Sequence, residues 1–524
     1  MTSFYEELHK SDRMSDEKEN AQSRVNVDRW IFRLLLLLIG VMPLIVFAHV
    51  EQVTSPLISN QDVLMSGTKG ELFTYFKAFF VLIVTFIAGA LLLAKVFLMG
   101  GTIRKTTLNY ALAVLAIMVV IATIASPNIS VTLSGLYNRS DGAISWLCYI
   151  ALMFIAMNIE YPKHVMKYIL YTLMPFVVIN LFIITMNFYG KDLLQNNWVK
   201  SFVSSTLPEG ASIGEGSQLL GTLNQWNYMS GMFAIMTVMY LMAAILGKTK
   251  KNAYSYLIFA IMSITVLFMS LSTTGFLTFI VLLPMILFVA LKNVNRVKSL
   301  TIIAIFIVAT IPIFHILASK EAGIWTESIG FIIDSNPYIE TPKEVSKESG
   351  SYHFDWENRA YASDDFEIPT LLKHGTISKG SGRIYIWEKT FNLISERPFL
   401  GYGLDTLLYN FPHNNIDARA GILTETVIVD KPHNMYIGML YGTGWIGFIA
   451  MIMVIGISFI RSLKAITQVN NEAVWIIGIA WLAYLIQAIF NDSLPSISAP
   501  MWVLAGIMMA LTFTHKEIKN GRNN

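Results

Sequence analysis

His433 and Asn434 stand at the mouth of an apolar run that begins at Met435 and carries Gly438, Gly442, Gly444 and Gly447. The positive end of a helix disfavours imidazolium, so a histidine placed there stays able to accept a proton near neutral pH. The same helix end attracts phosphate. Upstream, Ser381-Gly382-Arg383 opens a second helical pattern, with Ile384, Trp387, Phe391 and Ile394 on one stripe and Pro398 ending it. With Ser381 as N-cap, Arg383 falls in the first turn, where a cation opposes the helix dipole. An anion facing the guanidinium would account for that position, and so would an ordinary snorkelling arginine. A proton acceptor and a guanidinium that faces an anion are thus the two candidate groups, the planar fork being suited to phosphate oxygens. An interfacial histidine satisfied by a carbonyl is the plainer alternative for His433. Pro412-His413-Asn414 repeats the tripeptide Pro432-His433-Asn434 without a glycine-bearing apolar run behind it, so His413 is the reserve candidate.

Composition decides what kind of frame must position these residues. Of 524 residues, 54% are hydrophobic and 14% charged, whereas soluble chains carry about a quarter charged residues. The chain is therefore read as an integral membrane protein. A net charge of +3 offers no footprint for nucleic acid. The single cysteine, Cys148, permits no intrachain disulfide and no cysteine metal site. Apolar runs of bilayer length lie at 31–50, 78–98, 108–125, 143–158, 168–188, 227–246, 254–271, 275–291, 299–318, 434–460, 474–490 and 499–514. Ser272-Thr273-Thr274 alone joins the seventh run to the eighth, a very tight reversal.

Basic residues fall in every second connection: Arg104 and Lys105; Lys163 and Lys167; Lys248, Lys250 and Lys251; Lys292, Arg296 and Lys298; Arg461 and Lys464. Arg24, Arg29 and Arg33 precede or open the first run, and Lys516, Lys519 and Arg522 follow the last. The positive-inside rule puts all of these on the cytoplasmic side. The expected layout is a cytoplasmic polar tail over 1–29, spans one to nine over 30–318, a large extracytoplasmic loop domain over 319–433, spans ten to twelve over 434–514, and a cytoplasmic tail over 515–524. No signal-peptide pattern opens the chain, so the first span stays as an anchor. The predicted fold is an all-α polytopic membrane protein of about twelve transmembrane helices. A large external loop separates spans nine and ten, and the candidate site faces outward from the plasma membrane.

His433-Asn434, nine residues, Gly444, two residues and Gly447 resemble the His-Asn-x9-Gly-x-x-Gly pattern of the O-antigen ligase and O-antigen polymerase superfamily of bacterial envelope glycan enzymes. Ser381-Gly382-Arg383, Trp387, Pro398 and Gly401-x-Gly403 are similar to the segment that precedes this pattern in the family. Gly221-Thr222-Leu223-Asn224-Gln225-Trp226-Asn227 resembles the family's Gly-Thr-x-Asn-x-x-Asn at the entrance to a middle span. The informative parts cover roughly 221–290 and 381–450. The resemblance implies a glycosyltransferase without metal or other cofactor, working among membrane lipids. It would move a glycan from a polyprenyl-diphosphate carrier to a hydroxyl of a lipid or glycan acceptor, for O-antigen or teichoic-acid synthesis. It gives the base role to His433 and diphosphate contacts to Arg383 and Asn434, with Asn227 a further substrate-facing candidate.

Two positions depart from the family. Where it often has Ser-Arg, between Ser270 and Gly275, this chain has Ser272-Thr273-Thr274. A phosphate-binding arginine is therefore missing or supplied elsewhere, by Arg397, Arg419 or Arg359. The ligase Arg-x3-Leu pattern reads Arg383-x3-Trp387. No two aspartates stand two apart and neither a Walker loop nor His-Glu-x-x-His occurs, which favours arginine over metal for neutralising the diphosphate. A polymerase joining lipid-linked repeat units is the nearest alternative, and the His-Asn pattern favours the ligase over it. A transporter or flippase of the lipid-linked glycan is the alternative of another class; the lack of half-to-half repetition counts against it.

Overall fold

Inside a bilayer each backbone N–H and C=O must find its partner within the protein, so long apolar runs become helices. The structure, a computed structural model, describes residues 2–54, 66–208, 219–223, 225–330, 332–333, 335–339, 383–413, 428–468 and 471–513, without the side chains of 2–15 and 464–468. Ser381, Gly382, Arg359, Arg419, Asn224 and Asn414 lie outside the described residues. The elements are α1 (Thr2–Gly40), β1 (His49–Val53), β2 (Gly67–Glu71), α2 (Tyr75–Phe97), α3 (Thr107–Ile124), α4 (Ile129–Ser134), α5 (Ala143–Met157), α6 (Val165–Phe188) and α7 (Asn197–Val203). They continue with α8 (Trp226–Leu246), α9 (Lys250–Met269), α10 (Thr273–Lys292), α11 (Arg296–Lys320), α12 (Gly323–Ser328), α13 (Arg383–Glu396), α14 (Leu407–Asn410), α15 (Met435–Gln468), α16 (Glu472–Gln487) and α17 (Pro495–Thr512).

Among the described residues nine helices are long and apolar enough to cross a membrane, and α5 and α16 are shorter apolar helices. The chain is thus mostly helical and consistent with an all-α polytopic membrane protein. Each of the twelve expected runs contains a helix. The first departs most from its expected bounds: its helix ends at Gly40 and gives way to a 3-10 turn at Met42–Leu44. Pro43 removes a donor there, and Phe47 then donates to the Leu72 carbonyl at 3.1 Å. The chain leaves the bundle through β1, which pairs antiparallel with β2 from His49↔Glu71 to Val53↔Gly67. In the other direction α1 continues as helix back through the polar tail to Thr2.

α8 and α17 are almost wholly buried and form the centre, while α2 and α11 are mostly exposed at the periphery. α8 packs on α9, α10 and α16, α17 packs on α5 and α16, and α15 packs on α3. Helices alternate in direction, so their connections sort to two ends. At one end Lys95 pairs with buried Asp28 at 2.6 Å. Arg104 donates there to the Met157 and Ile159 carbonyls at 2.6 and 3.2 Å, Lys248 meets Glu472 at 3.3 Å, and Arg461 lies over Phe513. At the other end the Glu71 carboxylate accepts from the N–H groups of Phe73, Thr74 and Tyr75. Lys77 donates to the Thr222 carbonyl, and Asn491 donates to the Asn227 carbonyl at 3.3 Å. The basic connections gather at the first end and His433 lies at the second.

α15 is two helical pieces joined at Gly444, whose φ of 68° and ψ of −175° are not helical. Breaking a helix frees backbone groups, and here the turn after α13 takes them. Tyr402 and Gly403 donate to the carbonyls of Tyr441 and Gly442, both at 3.0 Å, and Trp445 donates to the Pro398 carbonyl at 2.8 Å. Gly401 and Gly403 supply the positive φ this turn requires, 67° and 98°. Gly442 faces Leu404 of the turn, and a Cβ on Gly438 would meet only Pro432 at 3.6 Å. At Gly444 a Cβ would overlap the Phe399 carbonyl group. Gly444→Ala is expected to cost about 2 kcal/mol or more, from left-handed strain added to that overlap. Thermal unfolding of the purified variant checks this; an unchanged melting temperature would mean the break is not needed.

Candidate functional site

His433 has a φ of 53°, a left-handed conformation that histidine enters more readily than most residues. Asn434 follows as a helix cap, its Oδ1 accepting from the N–H groups of Tyr436 at 2.9 Å and Ile437 at 3.0 Å. The start of α15 is stitched to the short connection between α16 and α17. Met435 N–H donates to the Ala488 and Asn491 carbonyls at 3.0 Å, and Asn434 N–H donates to Asp492 Oδ1 at 3.2 Å. These bonds bring Asp492 Oδ2 to 3.4 Å from His433 Nδ1, within ion-pair range and slightly long for a hydrogen bond. Burial pushes the Asp492 carboxyl up, but contact with His433 and the charges of Lys431 and Arg139 outweigh it and draw the group down to about 2. A carboxylate facing Nδ1 orients the ring and leaves Nε2 to accept a proton. The His433 side chain is one-third exposed.

Behind the histidine lies a buried charge cluster. Arg139, in the connection before α5, donates to Asp405 Oδ1, to Asp430 Oδ2 at 2.5 Å and to the Asp430 carbonyl at 3.2 Å. Leu136 N–H donates to the other oxygen of Asp405 at 2.7 Å. One guanidinium therefore joins the 135–142 connection, the turn after α13 and the strand of chain leading to His433. Burial works against the Arg139 charge, and the carboxylates of Asp405 and Asp430 more than restore it, raising its pKa. Burial also pushes Asp430 up, while Arg139, Lys431 and His433 bring it below the usual carboxylate range. Lys431 is buried, with Nζ 3.4 Å from the Tyr228 hydroxyl. Burial opposes its charge too, yet Tyr228 and Asp430 hold its pKa above the ordinary value. A cavity of about 40 Å³ lies among Arg139, Asp141, Asp405, Asp430, Lys431 and Asp492.

α13 packs against α15. Trp387 Nε1 donates to the Pro432 carbonyl at 2.8 Å, beside His433. Arg383 is one turn earlier on the same face, about 6 Å along the axis. Burial lowers the Arg383 pKa, partly offset by Asp492 and Tyr228, so this guanidinium shares the site's electrostatic surroundings. The packed face of α13 is Tyr385, Ile386, Thr390 and Ile394, against Tyr402, Phe411, Ile437 and Tyr441. The expected stripe is thus divided, because Ile384 and Phe391 are 57% and 46% exposed.

The remaining candidates are placed as follows. Arg397 lies past the far end of α13, about 20 Å along the axis from Arg383, with its guanidinium over the Tyr402 ring. His413 follows α14, its Nε2 3.0 Å from the Leu408 carbonyl. Asn227, near the start of α8, accepts from Ser272 Oγ at 2.8 Å and ties α8 to the Ser272 reversal. Thr273 at that reversal donates from its N–H and hydroxyl to Glu327. Among the described residues no three His, Cys, Asp or Glu side chains are grouped to hold a metal ion.

Arg139, Asp405, Asp430, Lys431 and Asp492 were not candidates from the sequence. One signal was legible: Asp492 is an acid in a short connection between apolar runs, where ionisable groups usually serve a purpose. The partnerships of Arg139 join residues far apart in the chain and leave no local pattern.

Residues 257–452 match the family model described as O-antigen ligase. This supports placing the chain in the O-antigen ligase superfamily, with a ligase- or polymerase-type enzyme function in envelope glycan synthesis. The matched span includes Arg383, His413 and His433 and stops short of Asp492. A comparison with curated proteins returned no significant match.

Asp141, beside the cluster, accepts from Ser493 Oγ and from the Tyr149 hydroxyl. Burial, the largest cause, pushes its carboxyl up to about 8. The folded chain then keeps a proton that the unfolded chain loses above about 4, so this group's contribution to stability declines between pH 4 and 8. Asp141→Asn, which is neutral throughout, is expected to flatten that part of the decline. Melting temperatures of both proteins from pH 5 to pH 8 check this; parallel curves would refute a protonated Asp141.

Proposed function

We propose that the chain is a glycan ligase that transfers a polysaccharide or oligosaccharide from a polyprenyl-diphosphate carrier to the hydroxyl of a lipid anchor, at the extracytoplasmic face of the plasma membrane. The observation that carries this reading is the convergence at one end of the bundle of His433 backed by Asp492 and of Arg383 on α13, whose Trp387 holds the Pro432 carbonyl. Nε2 of His433 takes the acceptor hydroxyl proton as the oxygen attacks the anomeric carbon. The new C–O bond forms as the bond from that carbon to the diphosphate oxygen breaks, and the diphosphate leaves with the electron pair. Direct attack inverts the anomeric configuration. Arg383 meets the growing charge with a bidentate fork. Lys431, a buried cation two residues from His433, stands in for the arginine absent at Ser272-Thr273-Thr274. Asn434, occupied in capping α15, acts by fixing the histidine's backbone. The guanidinium and ammonium carry the diphosphate charge, so the reading needs no metal.

Two variants and one cellular analysis test this. His433→Ala is expected to lose about 100-fold or more in transfer from labelled lipid-linked donor in liposomes while donor binding is largely kept. Near-normal turnover would move the base role to His413. For Arg383→Lys the expected loss is about 100-fold, because a point charge cannot reproduce the fork; unchanged kinetics would give the diphosphate to another cation. Deleting the protein should leave full-length polymer stranded on its carrier. Single repeat units there would indicate a polymerase, and glycan confined to the inner leaflet a flippase.

A further inference from the structure

A second site is built at the opposite end of the bundle, where the basic connections gather. A groove of about 530 Å³ runs between α1 and the segment leading into α6, lined by Arg29, Phe32, Arg33, Leu36, Tyr161 and Tyr168 among others. Its floor is aromatic: Phe32 is buried and meets the rings of Tyr161 and Tyr168 edge-on at 5.4 and 6.2 Å. The Tyr161 hydroxyl donates to the Ala156 carbonyl at 2.6 Å, which fixes the floor in place. Arg29 and Arg33 are exposed on the rim, one turn apart on α1, and among the described residues neither is in an ion pair. Arg33 rests over the Trp30 ring at 4.7 Å.

The acids near the groove do not cancel this charge. Asp28 lines it but is already held by Lys95 at 2.6 Å and by the Glu160 N–H at 3.1 Å. Glu160 is the one remaining carboxylate in the lining, against two guanidiniums. Height also matters. Asp28 meets α2 two residues before its end, and Leu36 lies about 12 Å further along α1 toward the middle of the bundle. An arginine at the mouth, a second arginine one turn further in beside the aromatic floor, and an aliphatic wall deeper still suit the phosphate, glycerol and acyl chain of a phospholipid.

We infer that this groove binds an anionic phospholipid of the leaflet at the basic end, its phosphodiester between Arg29 and Arg33 and an acyl chain along Leu36. This site is independent of the transfer reaction. Its distance from His433 is about the length of α2, whose 23 residues span roughly 34 Å.

The full-length protein, delipidated in detergent, is offered equal amounts of phosphatidylglycerol and phosphatidylcholine with the same acyl chains, and bound lipid is counted by native mass spectrometry. Phosphatidylglycerol is expected to be retained in preference. The double variant Arg29→Gln with Arg33→Gln should bind it about 30-fold more weakly, the loss expected for two arginines near a membrane surface. Both side chains are exposed, so folding should persist, as an unchanged elution profile would confirm. Lys163→Gln with Lys167→Gln removes equal charge from the same end outside the groove and should keep the preference. Equal retention of the two lipids by the unaltered chain would overturn the site. So would an unaffected arginine variant, or a lysine variant that loses as much, since diffuse surface charge would then explain the binding.

Discussion

The guanidinium of Arg139 is the constraint on which the arrangement at the His433 end depends. Two aspartates, Asp405 and Asp430, reach it from segments 25 residues apart in the chain, and it comes from a connection far earlier in the sequence. Burying such a group is costly, and removing one partner from a buried ionic set typically costs about 3–5 kcal/mol, because the others are left uncompensated. The cluster therefore accepts few alternative arrangements. Asp430 lies three residues before His433, so the position of the histidine follows from the position of the guanidinium.

A second device makes the same region rigid without any charge. The break at Gly444 exposes carbonyls in the middle of an apolar helix, and the turn from Pro398 to Gly403 supplies the missing donors and acceptor. This gives a physical meaning to glycines that the sequence shows only as a pattern. Gly442 and Gly444 after His433 and the Gly-x-Gly after Pro398 belong to one interlock of backbone with backbone. α13, carried on that turn, is thereby fixed against α15, and Arg383 with it.

The helices and their order could be read from the sequence because hydropathy is a local property. Even the Ser272 reversal was legible, and α9 and α10 meet there as its length requires. The expected end of the first span at residue 50 failed because a proline and the β1–β2 hairpin, not hydropathy, decide where α1 stops. His433 and Arg383 were visible as residue types in unusual settings. Asp492 was visible only as an acid between apolar runs, since nothing in Asn491-Asp492-Ser493 says which helix mouth it will face. For Arg383 the sequence suggested a residue without a structural duty, and α13 does leave it unpaired by any carboxylate within 4 Å among the described residues.

Counting charge at this end shows what kind of recognition is available to it. Arg139, Lys431 and Arg383 are balanced by Asp405, Asp430 and Asp492, with Asp141 held protonated at neutral pH by burial. The cluster as a whole is close to neutral, so it exerts little long-range attraction on a doubly charged headgroup. Whatever holds a diphosphate there must act through direction and contact. A guanidinium fork carried on α13 is a directional donor prepared in advance, and the capped start of α15 fixes the histidine that faces it; preorganisation of this kind favours a transition state over a ground state. A site of this type loses more from a small displacement than from a change in total charge. That is why so much of the surrounding structure, the Arg139 cluster and the Gly444 interlock alike, serves to hold α13 against the mouth of α15.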